Sequence, residues 1–176
     1  MDNLERRRLI TEFSMYAALY MAAFLILRFW CFNSIHISLV LGHLGIAMFF
    51  FTPFVMYFFI KRYGKGLEEY MSFGTIVRMT FQTFCMASMF LVFFACFYYI
   101  KINPNLLSDA YATTVEVLSQ SDPNVAEMLA TSGKASISPI MVSLQQIFWK
   151  MLEGLFCGLI LGLVYKRQNR SVKKEE

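Results

Sequence analysis

Charge is the scarcest property of this chain. Only 16% of its 176 residues are Asp, Glu, Lys or Arg, against about 25% in an average soluble domain. Histidine appears twice and cysteine four times. His36 and His43 stand seven residues apart, two helical turns, and neither has a cysteine or carboxylate at ligand spacing. That pattern argues against a zinc site. No two cysteines form a C-x-x-C pair, and Cys31, Cys85, Cys96 and Cys157 all fall in or beside apolar stretches. They read as packed thiols, with a Cys31–Cys96 disulfide as the alternative. The chain has no phosphate-cradling glycine loop, no nucleophile elbow and no H-E-x-x-H run. Its acids between the apolar stretches, Asp109, Glu116, Asp122 and Glu127, are tied to no nucleophile. The expectation is a protein that is not an enzyme and carries no metal or cofactor.

Apolar residues are what it has in excess. Hydrophobic residues make up 57% and aromatic residues 17%, with 19 Phe and 12 Met. Four stretches, 13–32, 38–60, 73–100 and 139–165, are long enough to span a bilayer, since about 20 apolar residues cross roughly 30 Å of hydrocarbon. Lipid offers the backbone no hydrogen-bond partner, so such spans are helical. The predicted fold class is an all-α membrane protein, a four-transmembrane-helix bundle forming one integral domain over 1–176. The first stretch follows a basic start without a small-residue cleavage site after it, so it is expected to remain as an anchor. Pro53 falls inside the second span and is expected to kink it.

Orientation follows from the cations. Arg6, Arg7 and Arg8 precede the first span, and Lys61, Arg62 and Lys65 follow the second. Lys166, Arg167, Arg170, Lys173 and Lys174 follow the fourth. The other side holds only Lys101 and Lys134. By the positive-inside rule both termini and the 61–72 loop are cytoplasmic, in a multi-pass inner-membrane protein. The net charge of +4 then reflects topology and contact with anionic membrane lipids. No basic stripe with stacking aromatics lies outside the membrane, so no nucleic-acid partner is expected. Trp30, Trp149, Tyr98 and Tyr99 near the outer ends, and Tyr16, Tyr63, Tyr70 and Tyr165 near the inner ends, suit interfacial belts.

A tight outer turn over 33–37 joins the first two spans, and Gly64 and Gly66 mark turns in the inner loop beside Glu68 and Glu69. The outer loop 101–138 carries helix signals. Asn103-Pro104 is a start signal, followed at helical spacing by Leu106, Leu107, Ala110, Tyr111, Thr114 and Leu118. Asp122-Pro123 repeats it, Val125, Ala126, Met128 and Leu129 follow, and Gly133 suits a C-cap. Two short helices are expected there, an extracytoplasmic cap between helices three and four. Ser138-Pro139 opens the fourth span in the same way.

Inside the spans one polar layer stands out. Rise per helical residue puts Arg28 roughly 22 Å above Phe13, and Glu153 and Lys150 roughly 18 and 22 Å above Tyr165. His43 lies about 10 Å below His36. Arg28, His43, Lys150 and Glu153 therefore share a depth, with Gln145 and Gln146 just above. Ionisable groups in lipid normally face the interior and pair. Glu153 is the only acid within the four stretches, so two cations compete for it and a net positive charge is left over. The structural alternative is Arg28 snorkelling outward and Lys150–Glu153 pairing along one helix. Arg78 and Gln82 sit nearer the inner end of span three, with structural roles expected for both. Gly154, Gly158 and Gly162 make a ridge that lets helix backbones approach. Ser14, Ala18 and Ala22 on the first span offer a matching partner, and a homodimer seam is the alternative use.

The stretches Y-M-S-F-G-T-I-V-R at Tyr70–Arg78, Y-Y-I-K-I-N-P-N-L-L at Tyr98–Leu107, S-P-I at Ser138–Ile140 and L-E-G-L-F-C-G-L-I-L-G-L-V-Y-K-R ending at Arg167 carry a resemblance. Through them nearly the whole chain resembles a family of four-helix inner-membrane proteins of Bacteroidetes-type bacteria, catalogued as domain of unknown function 4199. The resemblance implies the fold and brings no catalytic residues. It also implies a neighbourhood, since members commonly lie beside a gene for a polyprenyl-phosphate-type glycosyltransferase. The expected role is a non-enzymatic accessory or scaffold subunit of an envelope complex, in a lipid-linked glycosyl transfer pathway. Its partner would be such a glycosyltransferase, docked on the glycine ridge and the outer cap. The alternative is a small homodimeric transporter or lipid flippase that uses Arg28, His43, Lys150 and Glu153. A third, weaker one is an enzyme on the outer face, built on the loop's acids.

Overall fold

The computed structural model describes residues 3–34, 38–63, 72–122, 124, 125, 127 and 138–172. Among them there are helices and no strand. Helix α1 covers Asn3–Asn33, α2 Leu39–Tyr63 and α3 Phe73–Phe97, which runs into a π-helical turn over Tyr98–Ile102. Helix α4 covers Leu106–Ser121 and α5 Pro139–Val172. Four segments, Arg7–Asn33, Leu39–Arg62, Phe73–Ile102 and Pro139–Arg167, are long and apolar enough to cross a membrane. The helices outrun the apolar stretches at most ends, because helical hydrogen bonding continues into polar flanks where water replaces lipid. The 34 residues of α5 reach about 51 Å at 1.5 Å per residue, well beyond roughly 30 Å of hydrocarbon. Helix α2 continues through Pro53.

Contacts divide the chain into two units, Met1–Leu91 with Ile147–Glu176, and Val92–Gln146. The first holds a core of Met21, Leu25, Met56, Ile60, Ile76, Met79, Phe84 and Leu91, each almost fully buried. Apolar residues also cover the outside. Phe50, Phe54 and Phe58, one turn apart on α2, are all exposed, the surface expected of a helix with protein on one side and hydrocarbon on the other.

Small residues set how closely these helices approach. A Cβ built on Gly45 would stand 2.7 Å from the backbone nitrogen of Phe32, so α1 and α2 nearly touch there. The glycine ridge of α5 lies against α3. A Cβ on Gly154 would meet Phe84 Cβ at 2.5 Å, one on Gly158 the Cα of Val77 at 3.1 Å, and one on Gly162 the ring of Phe73 at 2.7 Å. The ridge thus packs within the bundle and its neighbour is α3, which corrects the expected pairing with α1. Ser14, Ala18 and Ala22 are themselves buried. Spacing shows that a ridge exists but carries no label for its partner.

In the second unit Tyr98 and Tyr99 are buried and meet edge to face at 5.9 Å. They are not part of an exposed belt, whereas Trp30, Trp149 and Tyr16 are exposed. Helix α4 starts at Leu106, after Asn105. Asn103 and Pro104 instead belong to a turn closed by Leu106 N–H donating to the Asn103 carbonyl at 3.3 Å. Asp122 does act as a start signal, its Oδ1 accepting from the backbone N–H groups of Asn124 and Val125 at 3.2 and 3.4 Å. The rest of the expected second loop helix, His36 with the turn at 35–37, the inner-loop residues 64–71 with Glu68 and Glu69, and the tail from 173 lie outside the described residues. All four cysteines are free.

Replacing Gly158 by Leu is expected to destabilise the protein by about 1–3 kcal/mol, the usual cost of overpacking. Gly74, with nothing within 4 Å of its built Cβ, supplies the control. Thermal unfolding in detergent should show a loss for Gly158→Leu and none for Gly74→Ala.

Candidate functional site

Three of the four residues predicted for the polar layer meet, and all belong to the first unit. Arg28 stands near the C-terminal end of α1. Helical side chains lean toward the N-terminus of their own helix, which carries this guanidinium inward along the bundle. Its Nη2 donates to Glu153 Oε2 at 2.7 Å, and its Nη1 donates to Glu153 Oε1 and to Thr52 Oγ1, the latter at 2.8 Å. The pair is therefore bidentate, the geometry for which a planar guanidinium is suited. Lys150, one turn before Glu153 on α5, donates from Nζ to the same Oε2 at 2.7 Å. Arg28 does not snorkel, and the pairing along α5 forms together with the pairing between helices.

One carboxylate thus holds two cations, and the cluster carries a formal charge of +1. The side chains of Arg28 and Glu153 are each 8% exposed and that of Lys150 12%. Thr52 extends the network onto α2. Its hydroxyl accepts from Arg28 and donates to the Met48 carbonyl at 3.0 Å. The Phe49 ring lies 5.3 Å from the guanidinium carbon, within the range of a cation–π contact. Three helices, α1, α2 and α5, are tied at one point. Gly154, the residue after Glu153, seats α5 against Phe84 of α3, so the fourth helix is packed at the same level.

His43 stays apart. It is exposed, and its Nδ1 is hydrogen-bonded to the carbonyl of Leu39 at 2.6 Å. The reason is both axial, about 13 Å of helix separating it from Thr52, and rotational. His43 precedes Thr52 by nine residues, about two and a half turns, so it lies on the opposite face of α2. Gln145 and Arg78 are exposed as well. Gln82 does not bond a neighbouring helix through its Oε1, which among the described residues is buried without a partner, as are Ser14 Oγ and Thr80 Oγ1. Thr52 and Phe49 were not picked out from sequence. Thr52 had a signal, as the only Ser or Thr in α2. Phe49 had none among so many phenylalanines.

Beside the cluster a groove of about 250 Å³ opens between α2 and α5, lined by Phe49, Phe50, Pro53, Phe156, Cys157 and Ile160, with Glu153 at its end. Among the described residues no group of three or more His, Cys, Asp and Glu is placed to hold a metal ion.

A family described as "Protein of unknown function (DUF4199)" matches residues 12–167. The chain belongs to this family. The match takes in all four membrane-spanning helices and every residue of the charged cluster. No curated protein and no solved structure matches the chain. The family's description assigns no function, so the chemistry has to come from the cluster itself.

Removing the carboxylate leaves two buried cations facing each other. Glu153→Gln is expected to cost about 3–5 kcal/mol, as for other buried pairs broken from one side. Adding Lys150→Met should recover part of that loss by removing the like-charge repulsion. Equilibrium unfolding of both variants in mixed micelles measures this.

Proposed function

We propose that this DUF4199 protein is a non-enzymatic accessory or scaffold subunit of an envelope complex in the inner membrane, with both termini cytoplasmic. The observation that carries this reading is the use the bundle makes of its polar groups. Arg28, Lys150, Glu153 and Thr52 are hydrogen-bonded to one another. Met21, Leu25, Met56, Met79 and Phe84 fill the core of the same unit. Charges closed on each other in a packed interior serve to hold helices in one arrangement, a task that suits a rigid subunit.

The glycine ridge is covered by α3 and is withdrawn as a docking surface. Docking then falls to the segment between the third and fourth spans, where α4 presents Asp109, Glu116 and Val117 outward. The partner class in this reading is a membrane-bound glycosyltransferase of the polyprenyl-phosphate type. One observation favours the transporter or flippase reading instead, the excess positive charge on the cluster. That reading needs a homodimer, because four helices are few for a pathway.

Purification of the tagged protein at native level in mild detergent, with cross-linking and intact mass analysis, separates the two. A stoichiometric second protein is the expected result. Recovery of the chain only as a homodimer would overturn the subunit reading in favour of transport.

A further inference from the structure

We propose that Gln82 and Arg78 of α3 dock a transmembrane helix of a different protein, one that presents an Asp or Glu to them. This rests on the subunit reading and gives its partner a contact inside the membrane. Position is the first argument. The side of α3 that meets α5 is marked by Phe73, Val77 and Phe84, which lie against the glycine ridge. Gln82 stands two residues from Phe84, about 200° round the helix, and Arg78 lies within about 40° of Gln82. Arg78 is exposed, as is Met89 on the same side, at 61%. Gln82 and Arg78 thus share the side of α3 turned away from α5. Their level is set by Gly154, which meets Phe84 and follows Glu153, the midpoint of the span Pro139–Arg167. Gln82 is then about 3 Å from mid-span level and Arg78 about 9 Å, both toward the N-terminal end of α3.

Hydrogen bonding is the second argument. Gln82 Oε1 is buried without a partner, and neither end of the amide is bonded among the described residues. Hydrocarbon offers no water to replace those bonds, and a glutamine in a span is satisfied by bonding across to another helix. Arg78 likewise has no hydrogen bond or ion pair among the described residues. One helical turn separates the two, so their donors face one patch. A carboxylate accepts from an amide N–H and a guanidinium together, and it cancels the charge. A lipid phosphate can serve Arg78, whose side chain leans toward the N-terminal end of α3 and the headgroups on that side. It cannot serve Gln82, which lies about 12 Å inside the hydrocarbon edge. A second copy is disfavoured by charge. Two α3 helices in the same orientation set Arg78 against Arg78, and Glu153, the one acid within the apolar stretches, is already held by Arg28 and Lys150.

The test is site-specific cross-linking in the membranes of cells that make the full-length protein, with photoreactive benzoylphenylalanine in place of Met89. The expected product is a cross-link to one other protein, within a transmembrane segment that contains Asp or Glu. Gln82→Leu and Arg78→Leu should each lower its yield several-fold while thermal stability in detergent is kept. Arg78→Glu should abolish it, and changing the partner's acid to Arg should restore it. A cross-link to a second copy, to lipid alone or to a segment without an acid overturns the proposal, and so does an unchanged yield in either Leu variant. If a second protein co-purifies in stoichiometric amount and no cross-link forms at Met89, this contact is ruled out while the subunit reading stands. If none co-purifies, both fall. Should Gln82→Leu fail to fold, Arg78→Leu and the paired charge reversal decide.

Discussion

Glu153 has to be satisfied where there is no water, and much of the bundle's arrangement follows from that. Its carboxylate takes a fork of bonds from Arg28 on α1 and a further bond from Lys150 on its own helix. Because Arg28 also reaches Thr52 on α2, a single ionised group sets the relative rotation of three helices. Buried ion pairs are weak sources of net stability, since desolvation offsets most of their attraction. Their strength is directional. Any rotation that pulls Arg28 away leaves charges in hydrocarbon, so competing arrangements are excluded at high cost.

Packing supplies the rest of the specificity, and here the membrane changes the rules. Lipid tails are as apolar as leucine, so burial of apolar surface does not by itself drive helices together. Close contact does, and it needs backbones without side chains between them. Gly45 allows that between α1 and α2, and Gly154, Gly158 and Gly162 allow it between α5 and α3. Polar tie and glycine ridge meet at Glu153 and Gly154, adjacent residues on adjacent faces of α5. The same turn of helix directs one group to α1 and seats the backbone on α3.

These two devices account for a rigid bundle, which is what an accessory subunit requires. They leave one charge and one groove unused. The cluster is one negative charge short of neutrality, and an apolar groove begins at its edge. A static tie needs neither.

The four apolar spans and their helical state were determined by the sequence alone, because hydropathy and helical periodicity are properties of the local chain. Glu153's need for cationic partners was legible in the same way, as the one acid facing two cations at its depth. Only the tertiary structure decided facing. His43 was placed at the depth of Arg28 but stands nine residues, about 13 Å of helix, from the Thr52 that Arg28 meets, and on the opposite face of α2. The ridge was visible as a spacing, yet its partner turned out to be α3, because complementarity between two helix surfaces is not written in either one. Tyr98 and Tyr99 looked interfacial by position and are buried. Rise along one helix can be counted, whereas level and facing between helices are agreements among several helices and exist only once they are assembled.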